Sequence, residues 1–351
     1  MQQLLVKHSR RGASLVELIV VIVIACLLVA VVLPAIPRSM GPARKLSCLN
    51  NMRNIGLAVV NYSSGADSHL PLLVEPGMDR SLVTVPHPNM GNDDLNWCIT
   101  VLPFLDSVAF RQKWDQVAPL AAQFGASAEQ LKAQADLKKT VFRVFTCPDD
   151  PHNKEPGALS YVVNVGYVTS NYNTADDKTH RPDSADGGLD GDITTTEDIP
   201  VKFGTGVFWR PYSTRMSLDI ISAGDGLTQT LMLSENLQAG DWSDTDTGSL
   251  GFGIDMQGVY PSGSTSLTLQ ANFDLVNATT ANDSRIGANP SAAKGEAWRP
   301  SSDHPRGAVN VIFCDGSGRS FSPNMDPGIY ARLLTPQGLH YGQDPVFESD
   351  F

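Results

Sequence analysis

The 351-residue sequence predicts an α+β protein in which a long N-terminal transmembrane helix continues against an antiparallel sheet, with large loop insertions between the elements. Three observations lead there. An almost uncharged apolar run occupies residues 13–36, apolar residues then recur at three- and four-residue steps, and short β-branched segments alternate with long polar stretches.

The apolar run holds 24 residues from Ala13 to Ile36, and its single charge is Glu17. At about 1.5 Å per helical residue it reaches roughly 36 Å, more than the roughly 30 Å of a hydrocarbon core. A carboxylate at the head of such a run is costly unless something pairs with it, so Glu17 asks for a functional explanation. Pro37 and the pair Gly41-Pro42 are expected to kink or interrupt the helix. Residues 37–63 then resume an amphipathic pattern through Leu46, Leu49, Met52, Gly56, Val59 and Val60.

Residues 64–351 read as one mixed domain. Strands are expected at Val141 to Thr146, Leu159 to Val168, Gln229 to Ser234 and Ala308 to Cys314. A helix is expected from Ser127 towards Lys139, with Gln130 placed to complete a capping box. The stretches 171–200 and 236–307 are rich in Gly, Ser, Thr, Asn and Asp and read as extended loops. After the strand near Val309, the run Asp315-Gly316-Ser317-Gly318 has the composition of a hairpin turn.

Charge narrows the function classes. The chain carries a formal −11, yet Lys7, Arg10, Arg11, Arg38, Arg44, Lys45 and Arg53 all precede residue 64, with Glu17 the lone acid among them. Residues 64–351 therefore carry −17, an acidic body that repels phosphate backbones, and no nucleic-acid partner is expected. No G-x-S-x-G elbow, H-E-x-x-H, P-loop or C-x-x-C is found, so a non-enzymatic role is expected. A membrane-tethered enzyme or binding domain is the alternative.

The stretch R-R-G-A-S-L-V-E-L-I-V-V-I-V-I resembles the type IV prepilin processing signal, shared with type II secretion pseudopilins. The resemblance implies that residues 1–12 are a leader and that a prepilin peptidase cuts between Gly12 and Ala13 and methylates the new amine. It implies that Glu17 pairs with the N-terminal amine of a neighbouring subunit during assembly, with Pro34 as the helix proline. The implied product is a single-pass inner-membrane protein, pilin-like in fold, with an extracytoplasmic C-terminal domain. Its partners would be the membrane, the peptidase and other pilin-like subunits of a pilus or pseudopilus.

Further segments resemble a large family of prepilin-like proteins whose C-terminal domain has no known function. They are C-L-N-N-M-R-N-I-G-L-A-V-V-N-Y from Cys48, W-C-I-T-V-L-P-F-L from Trp97, F-T-C-P-D-D ending at Asp150, D-G-L-T-Q-T-L-M-L-S-E ending at Glu235, and H-P-R-G-A-V-N-V-I-F-C-D-G-S from His304. The family's closing motif falls on His304, Asp315 and Gly316, with ten residues between His304 and Asp315 where nine are usual. A structural reading suffices here: Asp315 bonds turn amides, and His304 pairs with Asp303 or Asp315. Asp225-Gly226 and Glu235 read as a turn and a strand end.

Four cysteines after the span, Cys48, Cys98, Cys147 and Cys314, allow three complete pairings, and the sequence alone does not choose. The resemblance favours Cys48 with Cys147, since both stand in its motifs and the Cys48 helix should pack near the strand that ends by Cys147. No cofactor is required by any motif. For metals, Asp186, Asp190, Asp192 and Glu197 follow the spacing of an EF-hand-like calcium loop, with Gly188 where a ligand is usual.

Overall fold

The computed structural model describes residues 14–32, 35–75, 95–122, 127–168, 198–211, 213–255, 286–287, 293–296 and 299–350. The chain divides into two compact units, Met1–Ala43 and Arg44–Phe351.

In the first unit, helix α1 (Leu15–Val32) opens on a reciprocal cap. Ser14 Oγ accepts from Glu17 N at 3.2 Å while Glu17 Oε2 accepts from Ser14 N at 2.8 Å. Two of the backbone donors at the helix start are thereby satisfied, and the acid sits where the helix dipole favours it. The large apolar side chains of α1 between Leu15 and Val29 are exposed, from 49% at Val20 to 73% at Leu15. Among the described residues no helix is long and apolar enough to cross a membrane. The expected 13–36 span is described as α1, whose 18 residues reach about 27 Å, and as the start of a second helix, α2 (Ala35–Ser64).

The helix is not interrupted at Pro37 or Pro42, which both lie within α2. Pro37 falls in the first turn of α2, where backbone N–H groups lack intrahelical partners anyway, and Pro42 removes one ladder bond from a 30-residue helix.

The second unit takes up α2 from Arg44. Its buried stripe is Cys48, Met52, Ile55 and Val59, at four-, three- and four-residue steps. Leu46, expected on that face, is exposed instead, because the stripe turns one position towards Cys48.

After α2 come a short antiparallel pair, β1 (Val74–Glu75) with β2 (Leu95–Asn96), and α3 (Trp97–Val101), capped by Asn96 Oδ1 on Ile99 N. Helix α4 (Val108–Ala122) follows, then α5 (Ala128–Lys138), which starts with the capping box read from Ser127 and Gln130. The strand expected at Val141 to Thr146 is a 3-10 turn, Arg143–Phe145. Its apolar residues serve an aromatic cluster rather than a ladder: Phe142 meets Phe110, Phe145 and Trp242 edge-on.

The central sheet is built from β3 (Tyr161–Val168), β4 (Leu231–Glu235), β5 (Gly251–Asp255), β6 (Val309–Phe313) and β7 (Gly318–Phe321) in the order β5-β3-β4-β6-β7. Short helices α6 (Asp198–Phe203) and α7 (Leu218–Ala223) precede β4, α8 (Thr247–Leu250) leads into β5, and α9 (Pro327–Leu334) follows β7.

The sheet is mixed, where an antiparallel one was expected. Strand β5, inside a stretch read as loop, pairs parallel with β3, while the other pairings are antiparallel. From β4 the chain crosses through α8 before adding β5 beyond β3, so β5 runs along β3 rather than against it. Gly166 makes this contact possible. It bulges at φ +74°, and a Cβ on facing Gly253 would fall 2.0 Å from the Gly166 carbonyl oxygen.

Both faces of the sheet are covered. Asn310 and Ile312 of β6 face α2, through Asn310 Nδ2 to Lys45 O and Ile312 against Gly56, yet Val309, Val311 and Phe313 on the alternate face are fully buried too. A Cβ on Gly56 would meet Ile312 at 3.1 Å and Met232 at 3.2 Å, so the helix rests on β4 and β6 at closest approach here. Gly56→Leu is therefore expected to destabilise by about 1 to 3 kcal/mol of overpacking, against about 1 kcal/mol of gained helix propensity. Leu57→Ala, at an exposed neighbouring site, should stay within about 0.5 kcal/mol. Urea unfolding of the two variants checks the contrast.

Candidate functional site

Five separated segments meet at the end of β4. Residues Arg44, Lys45 and Cys48 come from α2, Cys147 and Asp149 from the loop after the 3-10 turn, Glu235 from the last position of β4, His304 from the loop before β6, and Asn310 from β6 itself. Cys48 and Cys147 are joined by a disulfide with Cα atoms 5.0 Å apart, closing a sequence separation of 99.

His304 lies between two carboxylates. Its Nε2 is 2.9 Å from Glu235 Oε1 and its Nδ1 is 2.8 Å from Asp149 Oδ2, with the imidazole side chain wholly buried and Glu235 at 2%. Glu235 is held from the other side by Asn310, whose backbone N donates to Oε2 at 2.7 Å and whose Nδ2 donates to Oε1 at 3.0 Å. Cys147 Sγ is 3.8 Å from Glu235 Oε1 and 3.7 Å from His304 Nε2. Arg44 Nη1 reaches Asp149 Oδ1 at 3.3 Å from a more exposed position.

Burial by itself lowers the His304 pKa, but the hydrogen bonds and charges of Glu235, then of Asp149, outweigh it and hold the imidazole above its ordinary value. The imidazolium is the form that donates to both carboxylates at once. Next to it, burial raises the Asp150 carboxyl, opposed by Ser160 Oγ donating at 2.5 Å and the His152 amide at 2.8 Å. Ser160 Oγ also accepts from Cys147 N at 3.0 Å, so the cysteine's backbone is fixed by the same network.

Beyond Asp150 opens a cavity of ≈ 420 Å³ lined by Asp150, His152, Glu155, Leu237, Ala239 and Lys294 among others. Two of its polar groups are paired: Lys294 Nζ binds Asp241 Oδ1 at 2.6 Å, and His152 Nδ1 faces Glu155 Oε1 at 2.8 Å.

Several sequence expectations resolve differently. His304 does not pair with Asp303 or Asp315; its partners are Asp149 and Glu235 because the loop before β6 folds back over the end of β4. Asp315 is exposed and accepts from Ser317 N at 2.8 Å, and Gly316 takes φ +83°, as a hairpin turn requires. Glu235 is indeed a strand end, but a buried one at the centre of the site. The Cys48–Cys147 bridge is present, and Cys98 and Cys314 are free and buried, their thiols raised chiefly by burial. Gly12, Ala13 and the calcium-loop residues Asp186, Asp190, Asp192 and Glu197 lie outside the described residues.

Asp149, Glu235 and Asn310 are the residues that sequence reasoning missed as a site. For Glu235 and Asn310 the signal was an ionisable or amide group at or within a strand of apolar residues, as in L-M-L-S-E and V-N-V-I-F; Asp149, in a turn, carried none.

Comparison with curated proteins and with solved structures gives no match. The family described as "Protein of unknown function (DUF1559)" matches residues 42–328, a range that contains every residue of the His304 site, and the chain belongs to that family.

Proposed function

We propose that this chain is a structural subunit of a pilus-like or type II secretion pseudopilus-like assembly. In this reading prepilin peptidase removes residues 1–12 and methylates Ala13, the N-terminal helix anchors the chain in the inner membrane, and residues 64–351 form the extracytoplasmic body. The observation that carries the reading is α1: an apolar helix exposed from Leu15 to Val29, shortly after R-R-G, with one acid in its first turn. Such a surface is unfavourable in water and finds its match in lipid or in the helices of sister subunits.

Mass spectrometry of the membrane-extracted chain should find an N-terminus at Ala13 carrying one added methyl group. An intact Met1 would refute the reading. In Glu17→Ala, processing and export should continue while cross-linkable multimers fall about tenfold, the equivalent of about 1.4 kcal/mol per subunit contact. Unchanged multimers would remove Glu17 from assembly.

The cavity beside Asp150 favours a second reading, a membrane-tethered binding domain for a polar surface ligand. A tethered binder should retain ligand affinity as a fragment beginning near residue 44, where the second compact unit starts, whereas a fibre subunit needs the N-terminal helix to act.

A further inference from the structure

We propose that Cys48, Cys147, Glu235 and His304 form a redox-gated site for a single divalent cation of zinc-like character, sealed by the disulfide and opened when that disulfide is reduced. One ligand atom from each of the four lies within 4.8 Å of all the others, and all four residues are buried.

The spacing supports this. A tetrahedral ion with two sulfur, one nitrogen and one oxygen ligand, at the usual bond lengths near 2.0 to 2.3 Å, sets its donors about 3.4 to 3.8 Å apart. Cys147 Sγ already stands 3.7 Å from His304 Nε2 and 3.8 Å from Glu235 Oε1, and Nε2 to Oε1 is 2.9 Å. Two edges must lengthen for an ion: the bonded sulfur pair, and the Nε2 to Oε1 hydrogen bond, which opens by about half an ångström. Breaking the disulfide lets the sulfurs separate to an ordinary non-bonded distance, and the two edges from Cys48 Sγ to Nε2 and Oε1 already lie within 4.8 Å.

The surroundings also suit a metal. A ligating imidazole usually gives its other N–H to a carboxylate, which fixes ring orientation and strengthens the donor atom. His304 Nδ1 already faces Asp149 Oδ2 at 2.8 Å, leaving Nε2 directed at the cluster. Glu235 is oriented by two donors of Asn310. A narrow crevice lined by Asp150, Glu235, Ser302 and Asp303 reaches Cys147 and gives a small ion a way in.

The chemistry balances as follows. A dithiol donor passes two electrons and two protons to the disulfide, yielding two thiols, and itself becomes a disulfide. The cation then displaces both thiol protons and the proton on His304 Nε2 to solvent, and bonds to two thiolates, the imidazole nitrogen and the Glu235 carboxylate. Two sulfurs, one nitrogen and one carboxylate oxygen favour a borderline ion such as Zn²⁺ over Ca²⁺ or Mg²⁺.

The test uses the full chain in detergent, carrying Cys26→Ser, Cys98→Ala and Cys314→Ala so that the only cysteines in play are Cys48 and Cys147. Co²⁺ serves as the spectroscopic probe and Zn²⁺ as its competitor. Dithiol-reduced protein should take up one equivalent of Co²⁺ with a thiolate-to-cobalt charge-transfer band and tetrahedral visible absorption, both lost on adding Zn²⁺. Oxidised protein, the same chain with the same fold, should show neither and bind at least about 100-fold more weakly. Asp149→Asn should weaken Co²⁺ binding by about 10- to 100-fold and keep the band, as expected of a positioning residue. Absence of the band in reduced protein that retains its circular dichroism overturns the proposal, as does equal affinity in the two redox states. Should reduction unfold the chain, Zn²⁺ added before the dithiol must preserve the fold and protect both thiols from alkylation; failure to do so overturns the proposal as well.

Discussion

Cys48→Ala/Cys147→Ala is expected to lower the unfolding free energy of the second unit by about 4 kcal/mol. The bridge spans 99 positions of sequence, and constraining a loop of that length in the unfolded chain is worth roughly 4 to 5 kcal/mol, within a usual range of about 2 to 5. Both side chains are buried, Cys48 at 0% and Cys147 at 4%, so alanine is the proper replacement; serine would add a hydroxyl with no assured partner. Urea unfolding of the full chain in detergent measures the loss. Because the effect acts mainly on the unfolded ensemble, the slope of the transition should steepen as the freed chain exposes more surface. Metal-free, dithiol-reduced wild-type protein should reproduce most of the same shift. A loss below about 1 kcal/mol in both would show that the bridge is not a principal constraint on the fold, since single-domain stabilities are only about 5 to 15 kcal/mol.

The sequence was informative where local physics decides. The cap at Ser127, the strands around Tyr161, Leu231 and Val309, and the turn at Gly316 all follow from side-chain periodicity and turn chemistry within a few residues. It was less informative where tertiary contact decides. Val141 to Thr146 has strand composition, yet Phe142 and Phe145 are drawn into an aromatic cluster with Trp242, almost a hundred positions away, and no ladder forms. Strand β5 was hidden because G-F-G-I-D lies in a polar stretch, and only the bulge at Gly166 reveals why glycines are needed there. Pro42 lies inside α2 without ending it.

For the candidate site the limit was of another kind. Cysteines and the closing His motif are visible as residue types, and the bridge between Cys48 and Cys147 could be favoured through motif resemblance. The partners of His304 could not, because Asp149 and Glu235 are 155 and 69 positions away, and 37 acids compete for the role in the sequence. Only the seating of α2 on β4 and β6 brings them to the same point.

His304→Ala is expected to cost about 3 to 5 kcal/mol, the usual penalty for leaving a buried charge without its partner. The burden falls on Glu235, 2% exposed, which would keep only the two donors of Asn310. Asp149 suffers less, since its side chain is 10% exposed and Arg44 still reaches it. Charge neutralisation predicts the order of the variants. Glu235→Gln keeps shape and most hydrogen-bonding capacity and should cost about 1 to 2 kcal/mol. Arg44→Ala removes a partner that is 55% exposed and screened by water, and should stay within about 1 kcal/mol. If the pair is energetically real, His304→Ala/Glu235→Ala must be less destabilised than the sum of the two single variants, by about 1.5 kcal/mol or more. Chemical unfolding of the oxidised, metal-free chain supplies all four corners of the cycle. Additivity within about 0.5 kcal/mol would mean that His304 and Glu235 are independent, and the site would reduce to a disulfide with two unrelated polar neighbours.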